Sequence, residues 1–186
     1  MQNTQNARPG ILLDRDGTII IDHGYVGSVD RVEFFDGAAE AIETFNKANI
    51  PVALVTNQSG VARGFFGIDD VALVHQYIAK RLSRHGAHID RYLFCPYHPE
   101  GVVAPFARLS EDRKPRPGMA KAAAAALSLN LTESWVVGDG LEDLGLAAAI
   151  GAFAAYLGPE VRNHPKAWSF PSLAAAAPFI LEKIGA

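Results

Sequence analysis

The chain has 186 residues, of which 49% are hydrophobic, with one cysteine and a formal net charge of -3. That length suits one domain with a full core, expected to span residues 1–186, and the near balance of charge excludes the strongly basic surface of a nucleic-acid-binding protein. One cysteine excludes a disulfide framework and fits a reducing cytosol, the polar start MQNTQNARPG lacks the apolar core of a secretion signal, and no apolar run reaches the roughly 18 residues of a membrane span.

Ile11-Leu12-Leu13 is a short apolar run ending in acids, the pattern of a buried parallel strand. Gly37 to Asn49 reads as a helix, because Ala38, Ala41, Ile42 and Phe45 recur at helical spacing. Pro51 to Val55 is a second buried strand, followed by a polar turn, Thr56 to Gly60. Asp69 to His85 is a longer amphipathic helix with Val71, Val74, Ile78 and Leu82 along one side; His75, His85 and His88, on or beside it, are expected at the surface. Arg91 to Phe94 is a third strand, and Cys95 to Pro115 is a long loop without regular pattern. Pro117 to Leu129 is a helix with proline in its first turn. Ser134 to Val137 is a fourth strand that runs into Gly138-Asp139. Leu141 to Ile150 is a helix, Ala152 to Leu157 a fifth strand, and Pro171 to Ile184 a last helix.

Strands alternating with helices predict an α/β fold of three layers, a Rossmann-like central parallel sheet covered on both faces. Between Asp14 and Thr56 there is room for one connection and one helix, and between Thr56 and Lys114 for a helix, a strand and the long loop. Neither stretch has room for an inserted cap domain, so a capless fold is expected, with loops such as Asp22–Tyr25 and Cys95–Pro115 left to shape any site.

Chemistry in such sheets sits beyond the carboxyl ends of the strands. Asp14-Arg15-Asp16-Gly17-Thr18 follows the first strand, Thr56-Asn57-Gln58-Ser59-Gly60 the second, and Asp139 the fourth, with Asp143 one helical turn on; Arg113-Lys114 precedes a helix. Singly, each has a bland reading as a helix cap, a turn or a solvated pair. Together at one sheet edge they suit phosphoryl transfer. A carboxylate can attack phosphorus, a lysine can neutralise the transferring group, and hydroxyls and backbone N–H groups can hold its oxygens. Clustered carboxylates repel one another, and a Mg²⁺ ion relieves this. A second acid two residues from the nucleophile can protonate the leaving alcohol.

These four segments resemble the motifs of the haloacid dehalogenase superfamily of phosphatases: Asp14 to Thr18, Thr56, Lys114, and Gly138-Asp139 with Asp143. Within it, DRDGTI, DHGYV, TNQSGVARG, CPYHPEG, RKPRPGM and GDGLED, from about Leu12 to about Leu157, resemble the heptose-bisphosphate phosphatase branch. The resemblance implies removal of the 7-phosphate of D-glycero-D-manno-heptose 1,7-bisphosphate through an aspartyl-phosphate, in heptose synthesis for cell-surface polysaccharide. It implies Asp14 as nucleophile and Mg²⁺ ligand, Asp16 as general acid and then base with its carbonyl on the metal, and Asp139 as the third protein ligand. Thr56 and Lys114 would stabilise the phosphoryl group. Asp22, His23, Gly24, Tyr25, Asn57, Gln58 and Ser59 would bind substrate, with Arg15 and Arg113 adding recognition, and Asp143 would support the site without ligating. A cytoplasmic monomer is implied, acting on a small phosphorylated sugar, with no nucleic-acid or membrane partner. Phosphatases of histidinol phosphate or another small ester share much of this set. A non-catalytic phosphate-binding protein and a phospho-acceptor are the readings of other classes; intact Asp14, Asp16, Lys114 and Asp139 count against the first, and Asp16 as an acid/base, pointless in a protein that must keep its phosphate, against the second.

The heptose branch often carries zinc in the long loop. Here Cys95 stands at the first ligand position, but Tyr97, Ser110 and Asp112 stand at the others. One thiolate does not make a structural zinc site, so no zinc is expected, and packing of Val102, Val103, Phe106 and Leu109 would order the loop instead. Gly140 stands where a lysine is common in that branch, which weakens the case for a doubly phosphorylated substrate.

Overall fold

The computed structural model describes residues 7–161 and 165–186; residues 1–6, the start of the stretch read above for a secretion signal, lie outside them. The elements are β1 (Ile11–Leu13), α1 (Ala38–Lys47), β2 (Val52–Asn57), α2 (Ile68–Ser83), β3 (Arg91–Cys95), α3 (Gly118–Leu127), β4 (Trp135–Gly138), α4 (Leu141–Ile150), β5 (Phe153–Tyr156), β6 (Ala167–Ser169) and α5 (Leu173–Ile184). Short 3-10 turns add Val29–Arg31 and Leu131–Glu133. Among the described residues the strands form a six-stranded sheet in the order β3-β2-β1-β4-β5-β6, with every pair parallel. No inserted domain separates β1 from β2 or β2 from α3. No helix among the described residues is long and apolar enough to cross a membrane.

Successive strand residues point to opposite faces, and the two cores follow from that alternation. Ile11, Leu13, Val52, Leu54, Trp135 and Val137 pack with α1, α2 and α5. Leu12, Ala53, Val55, Val136 and Ala154 pack with α3 and α4. All of β1 is fully buried, at about 1.5–3 kcal/mol for each such side chain, which is why three residues suffice to hold the sheet's centre. The helices begin where a side chain takes an orphaned backbone N–H. Asp70 accepts from Gly67 N at 2.7 Å before α2, and Ser172 Oγ accepts from Ala175 N at 3.2 Å at the start of α5.

Several expectations change. β2 runs on through Thr56 and Asn57, which read as a turn, because Phe94 and Cys95 of β3 pair with them. The edge strand β6 had no apolar run to announce it; pairing with β5 makes it, and Trp168 stacks into a cluster with Trp135, Phe153 and Phe179. Nor do Val102 and Leu109 order the long loop by packing, since they are 79% and 62% exposed. Hydrogen bonds do more: Val102 N and Val103 N both donate to Ala62 O, and His98 N donates to Phe106 O. Tyr97 adds ring contacts, to Phe106 and under the Arg108 guanidinium at 3.8 Å. The Cys95 thiol is buried in the second core with its Sγ toward Tyr97 O at 3.8 Å, and His98 turns its ring to Arg63.

His75 was expected in solvent and is buried, its ring 5.3 Å from that of Tyr92 and 5.8 Å from that of Phe94. Burial, and then the charge of Arg15, push its pKa down from 6.5 to about 3. The folded protein keeps this ring neutral while the unfolded chain protonates it. Its contribution to stability is therefore whole above 6.5 and is lost as pH falls from there toward about 3. At pH 5 that loss amounts to about 2 kcal/mol. His75→Phe is expected to unfold at lower pH than the wild type in an acid titration followed by circular dichroism; coincident curves would contradict the assignment.

Candidate active site

The strand order reverses between β1 and β4, and clefts at such switch points are where ligands bind in open α/β sheets. Asp14 leaves β1 there with its N–H still bonded to Val137 O of β4 at 2.9 Å. Asn57 and Gln58 leave β2 on one side of it, and Asp139 leaves β4 on the other.

The far end of the long loop is brought in by Asn57. Its Oδ1 accepts from Lys114 N at 3.0 Å, and its Nδ2 donates to Lys114 O at 3.2 Å. The Lys114 side chain, 1% exposed, then places Nζ 2.9 Å from Asp14 Oδ1 and 2.7 Å from Asp143 Oδ1. Burial alone would lower the lysine's pKa, but the charges of Asp14 and Asp143 outweigh it, so the ammonium is held above its ordinary value.

Asp143 is buried on the first turn of α4, and its second oxygen accepts from Gly140 N at 3.1 Å. Oxygens of Asp14, Asp139 and Asp143 all lie within 4.8 Å of one another. Burial and then the charge of Asp14 push Asp143 up to about 7 and Asp139 up to about 6, with Asp22 adding to the second. Three carboxylates face one ammonium, and the surplus charge on an all-oxygen donor set suits a hard divalent cation. Two glycines make this approach possible. A Cβ on Gly17, whose φ is +75°, would stand 2.0 Å from Asp139 Oδ2, and one on Gly138 would stand 2.2 Å from Asp143 Oδ2.

Asp16 sits beside Asp14 with its carboxylate in a fork. Arg15 Nε donates to Oδ2 at 3.0 Å, Arg15 Nη2 to Oδ1 at 3.1 Å, and Gln58 Nε2 to Oδ2 at 2.8 Å. Burial raises the Asp16 pKa, against the pull of Arg15 and with some help from Asp14.

A cleft of about 400 Å³ opens over this group, lined by Asp14, Asp16, Asp22, Thr56, Asp139 and Glu142 among others. The family described as haloacid dehalogenase-like hydrolase matches residues 15–151. The chain belongs to the haloacid dehalogenase-like hydrolases.

A Yersinia pestis relative of this hydrolase, D-glycero-beta-D-manno-heptose-1,7-bisphosphate 7-phosphatase, is 42% identical over 145 residues, 77% of each chain. The enzyme of that name from Rhodopseudomonas palustris is 42% identical over 144 residues, 77% of this chain and 80% of its own. Among solved structures, the D,D-heptose 1,7-bisphosphate phosphatase of B. bronchiseptica, complexed with magnesium and phosphate, superposes with a TM-score of 0.81 at 29% identity, covering 94% of this chain and 99% of the other.

The residues singled out in the sequence of this hydrolase separate into two groups. Asp22, Gly24, Tyr25, Thr56, Asn57, Gln58 and Ser59 line the cleft together with Asp14, Asp16 and Asp139. Three candidates for substrate contact do not. Arg15 is fully buried behind Asp16; exposed His23 turns its Nε2 to Glu33 at 3.0 Å; Arg113 reaches toward Tyr97 O at 3.5 Å. Lys114 lies behind Asp14, outside the lining. Glu142 and Arg31 were missed. Glu142 adds an acid to the cleft from the first turn of α4, a position its place just after Gly138-Asp139 could have suggested. Arg31 bonds the carbonyls of His23, Gly24 and Tyr25 at 2.7, 3.0 and 3.1 Å, which fixes the Asp22–Tyr25 loop. Nothing local in the sequence signals that role.

Proposed function

We propose that this chain is a Mg²⁺-dependent phosphatase that removes the 7-phosphate of D-glycero-D-manno-heptose 1,7-bisphosphate. The observation that carries the reading is Asp14 at the switch point, 2.9 Å from a buried lysine and within 4.8 Å of two further carboxylates. The names of the relatives supply the substrate. Asp14 attacks phosphorus and becomes an aspartyl-phosphate while Asp16 gives its proton to the leaving alcohol; Asp16 then takes a proton from water as that water attacks the phosphoaspartate. Lys114 holds the Asp14 carboxylate in place and offsets charge on the phosphoryl group, and Thr56 holds a phosphoryl oxygen. Asp14, Asp139 and the Asp16 carbonyl would hold the cation, which supplies charge neutralisation between carboxylates and phosphate when bound. Asp143 supports this set through Lys114. Asp22, Gly24 and Tyr25 from one loop, and Asn57, Gln58 and Ser59 from another, would meet the sugar. A single domain over residues 1–186, working in the cytoplasm as a monomer without zinc and serving cell-surface polysaccharide, completes the proposal.

One observation favours a second reading, a monophosphate such as histidinol phosphate. Among the described residues five acids line the cleft (Asp14, Asp16, Asp22, Asp139, Glu142) and no lysine or arginine does. A second phosphate would find no cationic side chain there. Phosphate release from a panel of sugar and alcohol phosphates, with Mg²⁺ and with chelator, tests both. The expected result is turnover of the heptose bisphosphate at C7, loss of it in chelator and recovery with Mg²⁺. Preference for the monophosphate would move the assignment to the second reading. Stable phosphate on Asp14 with no turnover of any ester would end the phosphatase reading.

A further inference from the structure

Arg15 is a fully buried cation that does not itself line the cleft, although its neighbours in sequence on both sides do. Its side-chain hydrogen bonds run to Asp16 and Gln58 of the cleft wall and to the carbonyl of Val26. Nε and Nη2 grip both oxygens of Asp16, at 3.0 and 3.1 Å. The two hydrogens of Nη2 also serve Gln58 Oε1 at 2.8 Å and Val26 O at 2.7 Å, at the end of the Asp22–Tyr25 loop, so one of them is shared between acceptors. Gln58 closes the circuit, its Nε2 donating to Asp16 Oδ2 at 2.8 Å and to Thr56 Oγ1 at 2.9 Å.

We infer that Arg15 is a positioning residue for proton transfer: with Gln58 it locks the Asp16 carboxyl group in one orientation and selects Oδ1 as the oxygen that carries the proton. The inference rests on the phosphatase reading above. Oδ2 accepts from two N–H groups, Arg15 Nε and Gln58 Nε2, which uses both of its in-plane lone pairs. Oδ1 accepts from one, Arg15 Nη2. Its second site is the place for a hydrogen. When the Asp14 oxygen bonds to phosphorus, the ester P–O bond breaks and its electron pair stays on the leaving oxygen. That oxygen takes the Oδ1 proton and departs as an alcohol, leaving Asp16 as a carboxylate still held by its three N–H donors. A side chain free to rotate would present the proton to the ester oxygen only part of the time. The planar guanidinium suits this task because it meets both oxygens at once, which an ammonium does not.

General-acid help matters in proportion to how poor the leaving group is, and this separates positioning from general damage. An alkyl phosphate such as a hexose 6-phosphate needs its leaving oxygen protonated; p-nitrophenyl phosphate does not. In Arg15→Lys, kcat/KM for the alkyl ester is expected to fall about 100-fold, within the range general acids supply, and for the aryl ester less than about tenfold. The alkyl defect should lie in kcat, with KM near the wild-type value. Because a buried cation is altered, Gln58→Leu is measured beside it. It removes the amide's bonds to Asp16, Arg15 and Thr56 without touching a charge, and is expected to show the same divergence in kcat, where a lost sugar contact would show in KM, at about a tenth of the size. Equal losses on both esters in both variants, or full recovery of the alkyl reaction by lysine, would overturn the inference. A wild-type protein inactive on both esters would instead take down the phosphatase reading, and this inference with it.

Discussion

Asp14→Asn is expected to remove turnover, by about 10⁴-fold or more, because an amide does not attack phosphorus and cannot form the phospho-enzyme. The same substitution is expected to leave the metal-free protein at least as stable as the wild type. Asp14 is bonded to Lys114 at 2.9 Å, but its charge is also among the causes that raise the pKa values of Asp139 and Asp143. An amide removes that repulsion and keeps an oxygen that can accept from the ammonium. Inactive protein with an unchanged or higher melting temperature, and a smaller rise in it on adding Mg²⁺, is the expected combination. Activity within tenfold of wild type would refute the assigned nucleophile, and a lowered melting temperature would show that the ion pair outweighs the repulsion.

Lys114→Met carries the second large effect, and here catalysis and stability fall together. The lysine is the partner of Asp143, whose side chain is 3% exposed, and removing one member of a buried pair leaves a charge with neither water nor a counterion. The expected cost is about 3 kcal/mol, limited because Asp143, already pushed up to about 7, escapes by taking a proton. Turnover is expected to fall about 10³-fold, since the cation proposed to offset charge on the phosphoryl group is gone. The double variant Lys114→Met, Asp143→Asn separates the two losses. It should recover most of the stability in urea unfolding and none of the activity. Recovery of both would place Lys114 in a structural role alone.

The chemistry was legible because it is written at strand ends. An apolar run followed by Asp14, another followed by Thr56 and a third followed by Asp139 put those residues at one edge of a parallel sheet, before any contact is known. The place of Asp143 was legible in the same way, one helical turn beyond Asp139. Arg15 was not. Its position between two cleft aspartates reads as a substrate contact, and alternation along the chain turns it away, into the space behind them. His75 and β6 escaped notice for a related reason. A histidine at a helical position is polar by type whether or not strand β3 lies across it, and Ala167-Trp168-Ser169 becomes a strand through its pairing with β5.

From the sequence by itself came the chain order of the helices and of every strand but β6, the lack of an inserted cap, and the residues that meet at the switch point, because burial periodicity and turn chemistry are local and repeat every two to four residues. Tertiary structure alone decided which oxygens face which donors: the two-pronged grip of Arg15 on Asp16, the hold of Asn57 on Lys114, the buried charge of Asp143 and the acid-lined cleft. Those depend on groups tens of residues apart brought within a few ångströms, where burial and charge set protonation and orientation, and no local pattern encodes such distances.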